Sequence, residues 1–344
     1  MELRAYIVRR LLLLIPVLVG VILIIFALLQ FFSPVQRAAL YVRSPQQFRN
    51  LDQIIEKYHL NEPVYVQFFY WISEVLKGNL GWSKSVNMPV SDALLRFLPA
   101  TLELLIFTVP LTIFIGIKLG ITSAIHRDKP VDHVTRGLAI AGYSLPAFWL
   151  GLMLLMIFYG FFTGLFPPGR LGLDAEMVVS SASFQNYTYI HTIDGILNLR
   201  LDVVLDALRH LVLPVTTLTI INLAFIMRIM RSSMLETLNK DYIMMARAKG
   251  LDEKTVINKH ARRNALIPAV TVSGYLVASL MAGAVLTETV FNYKGLGWWS
   301  VNAAVQLDVP AVLGFVLFIG TVIVITNLIV DLLYAKIDPR IRLG

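Results

Sequence analysis

Apolar residues in this chain do not alternate with polar ones but run together in long blocks. Crossing about 30 Å of hydrocarbon takes roughly 20 helical residues at about 1.5 Å each. Six stretches reach that length: 9–32, 99–124, 134–162, 209–232, 265–288 and 310–335. The apolar run of the first follows Arg4, Arg9 and Arg10, as a signal core would. Its apolar run from Leu11 to Phe32 is too long for a signal peptide, and no small-x-small cleavage site follows. It reads as a retained first helix. The pattern predicts an all-α, polytopic membrane protein with six transmembrane helices.

Composition agrees. Of 344 residues 57% are hydrophobic and 15% charged, with mean hydropathy +0.70. Soluble domains carry about 25% charged residues, so an ordinary cytosolic enzyme, a disordered chain and a coiled coil are excluded. The lack of period-two alternation excludes an outer-membrane barrel. A net charge of +8 would suggest nucleic acid in a soluble protein, but here its placement matters more. Putting the N-terminus, 126–136, 228–263 and 336–344 on one side gathers 18 Lys and Arg, against 11 in the longer opposite loops. That bias predicts both termini in the cytoplasm. Zero cysteines exclude disulfides, Fe–S clusters and thiolate metal sites.

Three regions follow. Residues 1–98 hold the first transmembrane helix and a long extracytoplasmic amphipathic segment. Residues 99–335 form a five-helix core with a cytoplasmic segment, 232–264, and an extracytoplasmic lobe, 163–207. Residues 336–344 are a cytoplasmic tail. Within the first region, Leu51, Ile54, Ile55 and Tyr58 precede the cluster Phe68, Phe69, Tyr70 and Trp71, which predicts an interfacial helix anchored by aromatic rings. The lobe opens on Pro167-Pro168-Gly169 and turns polar from Ser180 to Thr192.

Catalytic chemistry finds no support. The six histidines never form an i, i+4 pair, and no nucleophile elbow, P-loop or HExxH pattern is present. No residue is assigned a catalytic or metal-binding role. Ionisable groups within spans are functional candidates because burying charge in lipid is costly. Glu103, Asn222 and Glu288 are candidates for lining a passage or for hydrogen bonding between helices. Lys118, Asn327 and Asp331 read as interhelical or snorkelling groups.

The segment 232–264 carries more information. Met234, Leu235, Leu238, Tyr242, Met245 and Ala246 recur at helical spacing and predict one apolar face. Gly250 interrupts, as a residue suited to a left-handed helix end. Asp252 can cap a second helix, with Glu253 in its first turn and Lys259, Arg262 and Arg263 near its end. Such a helix–Gly–helix unit either rests on anionic headgroups or fits, with small Ala246, Ala248 and Gly250 at its tip, into a groove on a partner.

RSSMLETLNKDYIMMARAKGL (Arg231 to Leu251) and HARRNALIP (His260 to Pro268) resemble the cytoplasmic signature of ATP-binding-cassette importer permeases, in the form of the dipeptide/oligopeptide/nickel subfamily. PATLEL (Pro99 to Leu104), GYSLPAFWLG (Gly142 to Gly151), GAVLTETVFNYKGLG (Gly283 to Gly297) and NLIVDLLYAKIDPRIR (Asn327 to Arg342) extend the resemblance over almost the full length. The paired Arg9-Arg10 before a long span is similar to the first of the two peptide-importer permeases. Of the family's Glu-Ala-Ala element only Ala246 matches.

The resemblance implies a type I importer permease fold in a bacterial cytoplasmic (inner) membrane. It implies a second homologous permease subunit as heterodimer partner, two ATP-binding subunits and an extracytoplasmic substrate-binding protein, besides membrane lipids and without nucleic acid. ATP and Mg would be bound by the partner subunits, and no cofactor by this chain. The ATPase-coupling patch would be Asp241, Tyr242, Ala246, Arg247, Ala248, Lys249, Gly250 and Leu251. Di- and oligopeptides are the implied cargo, carried by alternating access, with nickel chelates or glutathione as subfamily alternatives. An ion-coupled secondary carrier would instead need an inverted repeat or broken midplane helices, neither of which is evident in the sequence.

Overall fold

A computed structural model describes residues 3–162 and 164–337. The chain begins with α1 (Leu3–Leu29), α2 (Pro34–Ala38), α3 (Leu51–Lys57) and α4 (Val64–Leu76). A two-stranded hairpin, β1 (Trp82–Ser83) and β2 (Met88–Pro89), leads into α5 (Val90–Ile125), α6 (Pro130–Ser144) and α7 (Ala147–Leu155). Next come α8 (Leu173–Val179), α9 (His191–Leu197), α10 (Leu201–Leu238), α11 (Asp241–Ala248) and α12 (Glu253–Thr255). The remainder is α13 (Arg262–Gly283), α14 (Val285–Val290), α15 (Leu296–Val305) and α16 (Val309–Ile337).

Among the described residues five helices are long and apolar enough to cross a membrane, and α6 with α7, bent by 98° at the break between them, counts as a sixth when the pair is taken as one span. The expected third span, 134–162, is therefore broken rather than straight. Pro146 favours this place: it disfavours helical backbone at Leu145, which sits at φ −80°, ψ 133°. Two other spans outrun their apolar cores, α5 starting at Val90 and α10 covering Leu201 to Leu238. Helical geometry continues there because helices and loops outside the lipid still cover it. The side chain of Asp331 and residues 338–344 of the expected tail lie outside the described residues.

α5 and α10 form the axis of the bundle. Gly116 and Gly120 let the two backbones approach: a Cβ on Gly116 would lie 2.7 Å from Ile226, and one on Gly120 2.7 Å from Met230. Small residues at such crossings gain dispersion contacts in a medium where the hydrophobic effect is absent. α6 lies along α10 through Ala139, Ala224 and Met227, and Gly142 abuts Ile220. α13 packs on α10, α5 and α16, and α16 packs in turn on α1.

The segment after α1 folds back onto it. Phe26 meets Phe68 and Trp71 with ring centroids 5.0 and 5.5 Å apart, within a cluster that includes Ile25, Leu29 and Leu60. Tyr65 and Phe69 on α4 remain exposed. Glu74 is buried; desolvation raises its carboxyl, but hydrogen bonds from Asn79, Arg43 and Lys77 outweigh it and hold the pKa at about 2. Asp308, ahead of α16, accepts from Ser83 Oγ at 2.7 Å and Ser85 N–H at 2.9 Å, fastening the hairpin.

Candidate functional site

The unit following α10 is built differently from its sequence pattern. The expected face from Met234 to Ala246 does not lie on one helix, because the chain turns at Asn239-Lys240. After the turn, Ile243 and Ala246 point inward and join Met230, Met234, Val256, Ala261, Ala265 and Ala269 in one buried cluster. Tyr242 and Met245, expected on the apolar face, are exposed at 42% and 65%. Met244 is exposed beside them, and Tyr242 Oη accepts from Asn264 Nδ2 at 2.9 Å.

α11 ends in a closed cap. Gly250 adopts φ +80°, Leu251 N–H donates to Ala246 O at 3.3 Å, and Gly250 N–H donates to Arg247 O at 2.9 Å. This is the Schellman arrangement, which satisfies carbonyls left open at a helix end. Asp252 then accepts from Thr255 N–H at 3.0 Å and starts the next helix, as its position predicts. Arg247 grips Glu253 through two bonds of 2.6 and 3.1 Å across the turn. Of the coupling residues named from the sequence, Ala246 faces the core, while Asp241, Tyr242, Arg247, Ala248, Lys249, Gly250 and Leu251 are exposed. The result is a short helix braced from behind and presenting one outer surface.

At the other end of α10 lies the lobe. Glu103 is buried on α5 and holds three elements together. It accepts from Arg170 Nη2 at 2.7 Å, from Tyr293 Oη at 2.8 Å, and from Thr192 N–H and Oγ1 at 2.9 and 3.0 Å. Glu288, also buried, accepts from Thr101 Oγ1 at 2.7 Å and from Trp298 N–H at 2.8 Å. Both acids are fasteners between segments. Asn222 lies apart from them and donates to Leu218 O one turn back at 2.8 Å. Beside the Glu103 cluster, burial first and then the charge of Arg170 push the His191 imidazole down to about 4.

Sequence reading overlooked Arg170, Tyr293 and the pair Asp132–Arg231. Asp132 is buried on α6 and accepts from Arg231 Nε and Nη2 at 2.9 and 2.7 Å, joining α6 to α10. The available signal was an acid and an arginine each within a turn or two of a span end. Their 99-residue separation left the pairing itself unreadable.

The family described as "Binding-protein-dependent transport system inner membrane component" matches residues 116–343. The chain belongs to this family. It is 43% identical to the probable D,D-dipeptide transport system permease of Escherichia coli K12, over 86% of this chain and 85% of that one. It is 39% identical to the dipeptide transport system permease of the same strain, over 98% of both. The oligopeptide transport system permease of Bacillus subtilis 168 is 34% identical, over 98% of this chain and 99% of that one.

As an inner-membrane component of a binding-protein-dependent system, the protein is a multi-pass membrane permease of an ATP-binding-cassette importer and not an enzyme. It works with other components of such an importer. The broken span α6–α7 therefore belongs to a permease of this kind, and the ion-coupled carrier reading falls away.

Proposed function

We propose that the protein forms half of the passage through which an ATP-driven importer moves short peptides by alternating access. In this reading it pairs with a second homologous permease, and both termini and α11 face the cytoplasm. Two ATP-binding subunits receive α11 and its counterpart and hold the ATP and Mg, so that this chain binds no cofactor. A substrate-binding protein delivers cargo at the lobe end. The relatives named for dipeptide and oligopeptide transport support the cargo.

The observation that carries the coupling role is the construction of α11. Its cap, the Arg247–Glu253 pair and the cluster behind Ile243 and Ala246 fix it to α10 and α13, so a push on its outer surface moves the bundle. A helix merely resting on headgroups needs no such bracing. Its exposed Met244 and Met245 suit an adaptable partner groove.

Affinity purification from the native membrane, followed by reconstitution, tests this. The expected result is recovery with a second permease and ATP-binding subunits, and ATP hydrolysis stimulated by peptide-loaded binding protein. Recovery as a homo-oligomer, with uptake driven by an ion gradient without ATP, overturns it.

A further inference from the structure

Between α6 and α10, at the α11 end of the bundle, lies a cavity of about 460 Å³. Its wall includes Arg136, Arg228 and Arg231 together with Tyr143, Ala139 and Ala224. The volume falls in the range of small-molecule sites, about 300–1,000 Å³. Two of these guanidiniums share one acid. Asp132 is bonded by Arg231 and has Arg136 at 3.9 Å. Arg228 has no carboxylate within 4.0 Å among the described residues, and its guanidinium carbon lies 5.3 Å from the Tyr143 ring centroid. A guanidinium held over a ring keeps its in-plane N–H groups available for a fork-shaped anion.

The position of the cavity bears on what can reach it. Tyr143 immediately precedes the break between α6 and α7, and its neighbour Gly142 abuts Ile220, midway along α10. The last carbonyls of a helix lack intrahelical donors. At membrane depth such backbone persists only where protein covers it or water reaches it, not against lipid chains. Tyr143 and Ile140 are nonetheless exposed in this subunit, at 58% and 57%. That face is therefore met by the second permease or by the water of the passage between the two subunits, and not by lipid.

We propose that Arg228, supported by Arg231 and Arg136, receives the α-carboxylate of a peptide in the inner half of the passage. Tyr143 positions the guanidinium, and Ala139 and Ala224 leave room for the peptide's side chain. The proposal rests on the peptide reading above. A carboxylate meets an arginine as an ion pair with two acceptor oxygens for the guanidinium fork, whereas its amide offers one carbonyl oxygen and no charge.

The test uses the complete reconstituted importer with alanyl-alanine and alanyl-alaninamide. Equilibrium binding to the importer without its binding protein should favour alanyl-alanine at least about tenfold. Arg228→Gln should remove that preference by weakening alanyl-alanine alone, and Arg228→Lys should restore part of it. Tyr143→Leu, which keeps the charge, should reduce the preference by a smaller factor. An unchanged preference in assembled Arg228→Gln overturns the site while ATP-dependent uptake of alanyl-alanine leaves the peptide reading standing. No preference in the wild type, with phosphatidylglycerol co-purifying in an Arg228-dependent way, overturns it in favour of a lipid headgroup. Absence of ATP-dependent uptake of any dipeptide overturns both.

Discussion

Arg170 of the lobe and Glu103 of α5 meet at 2.7 Å, 67 residues apart in sequence, with both side chains largely removed from solvent. Removing one partner strands the other's charge. Glu103→Gln or Arg170→Met should each cost about 3–5 kcal/mol. The double variant should cost less than the sum, because neither charge is then left alone. Thermal unfolding of the detergent-solubilised protein measures the coupling, and additive losses would show that the two residues act independently.

The lobe should loosen in acid through His191. Its folded-state pKa is about 4 against an ordinary 6.5, so the folded state disfavours the imidazolium. The stabilising contribution is complete above pH 6.5 and is lost as pH falls towards 4. Hydrogen exchange of residues 164–200, corrected for intrinsic rates, should rise by about tenfold between pH 7 and pH 5. His191→Gln should flatten that dependence.

Glycines on neighbouring helices should respond in opposite directions. At Gly120 an added Cβ would meet Met230 Cβ at 2.7 Å and Met227 O at 2.8 Å, so Gly120→Ala must part α5 from α10. A loss of about 1–3 kcal/mol is expected. Gly137 on α6 has nothing within 4 Å, and there Gly137→Ala should gain about 0.5–1 kcal/mol from helix propensity. Melting temperatures of the two variants give the comparison directly.

For Gly250 the constraint is backbone and not space. Nothing lies within 4 Å of a Cβ there, but φ is +80°. Gly250→Val should strain the cap by about 1–2 kcal/mol and displace the end of α11, whereas Gly250→Asn, which tolerates this region, should not. ATP-driven uptake should fall in the first variant and persist in the second, at equal membrane levels. Normal uptake by Gly250→Val would detach the cap from coupling.

Much of this architecture is legible in apolar run length, since a span must be long and continuous to cross lipid. Gly250 and Asp252 were legible because their roles are local: one needs a left-handed backbone, the other a nearby N–H. The turn at Asn239-Lys240 was hidden because hydrophobic spacing is nearly the same on either side of it. Gly116 and Gly120 carry no side chain that marks a face, and only the facing Ile226 and Met230 reveal them as contact points. Glu103 was visible as an unusual acid in a span. Its partners Arg170, Thr192 and Tyr293 come from two distant segments, and no local pattern connects them.

α10 runs for 38 residues, about 57 Å, and carries both ends of the protein. Near its start Asp206 accepts from Gly172 N–H at 2.6 Å and Arg209 donates to Leu165 O at 2.7 Å. Near its finish Met230 and Met234 pack against Ile243 and Ala246. It therefore behaves as a single lever: a tilt of about 10° sweeps one tip past the other by roughly 10 Å over this length. Motion at α11 reaches the lobe along one continuous helix whose one interior proline is Pro214, so the two mouths of the passage are geared to each other through it.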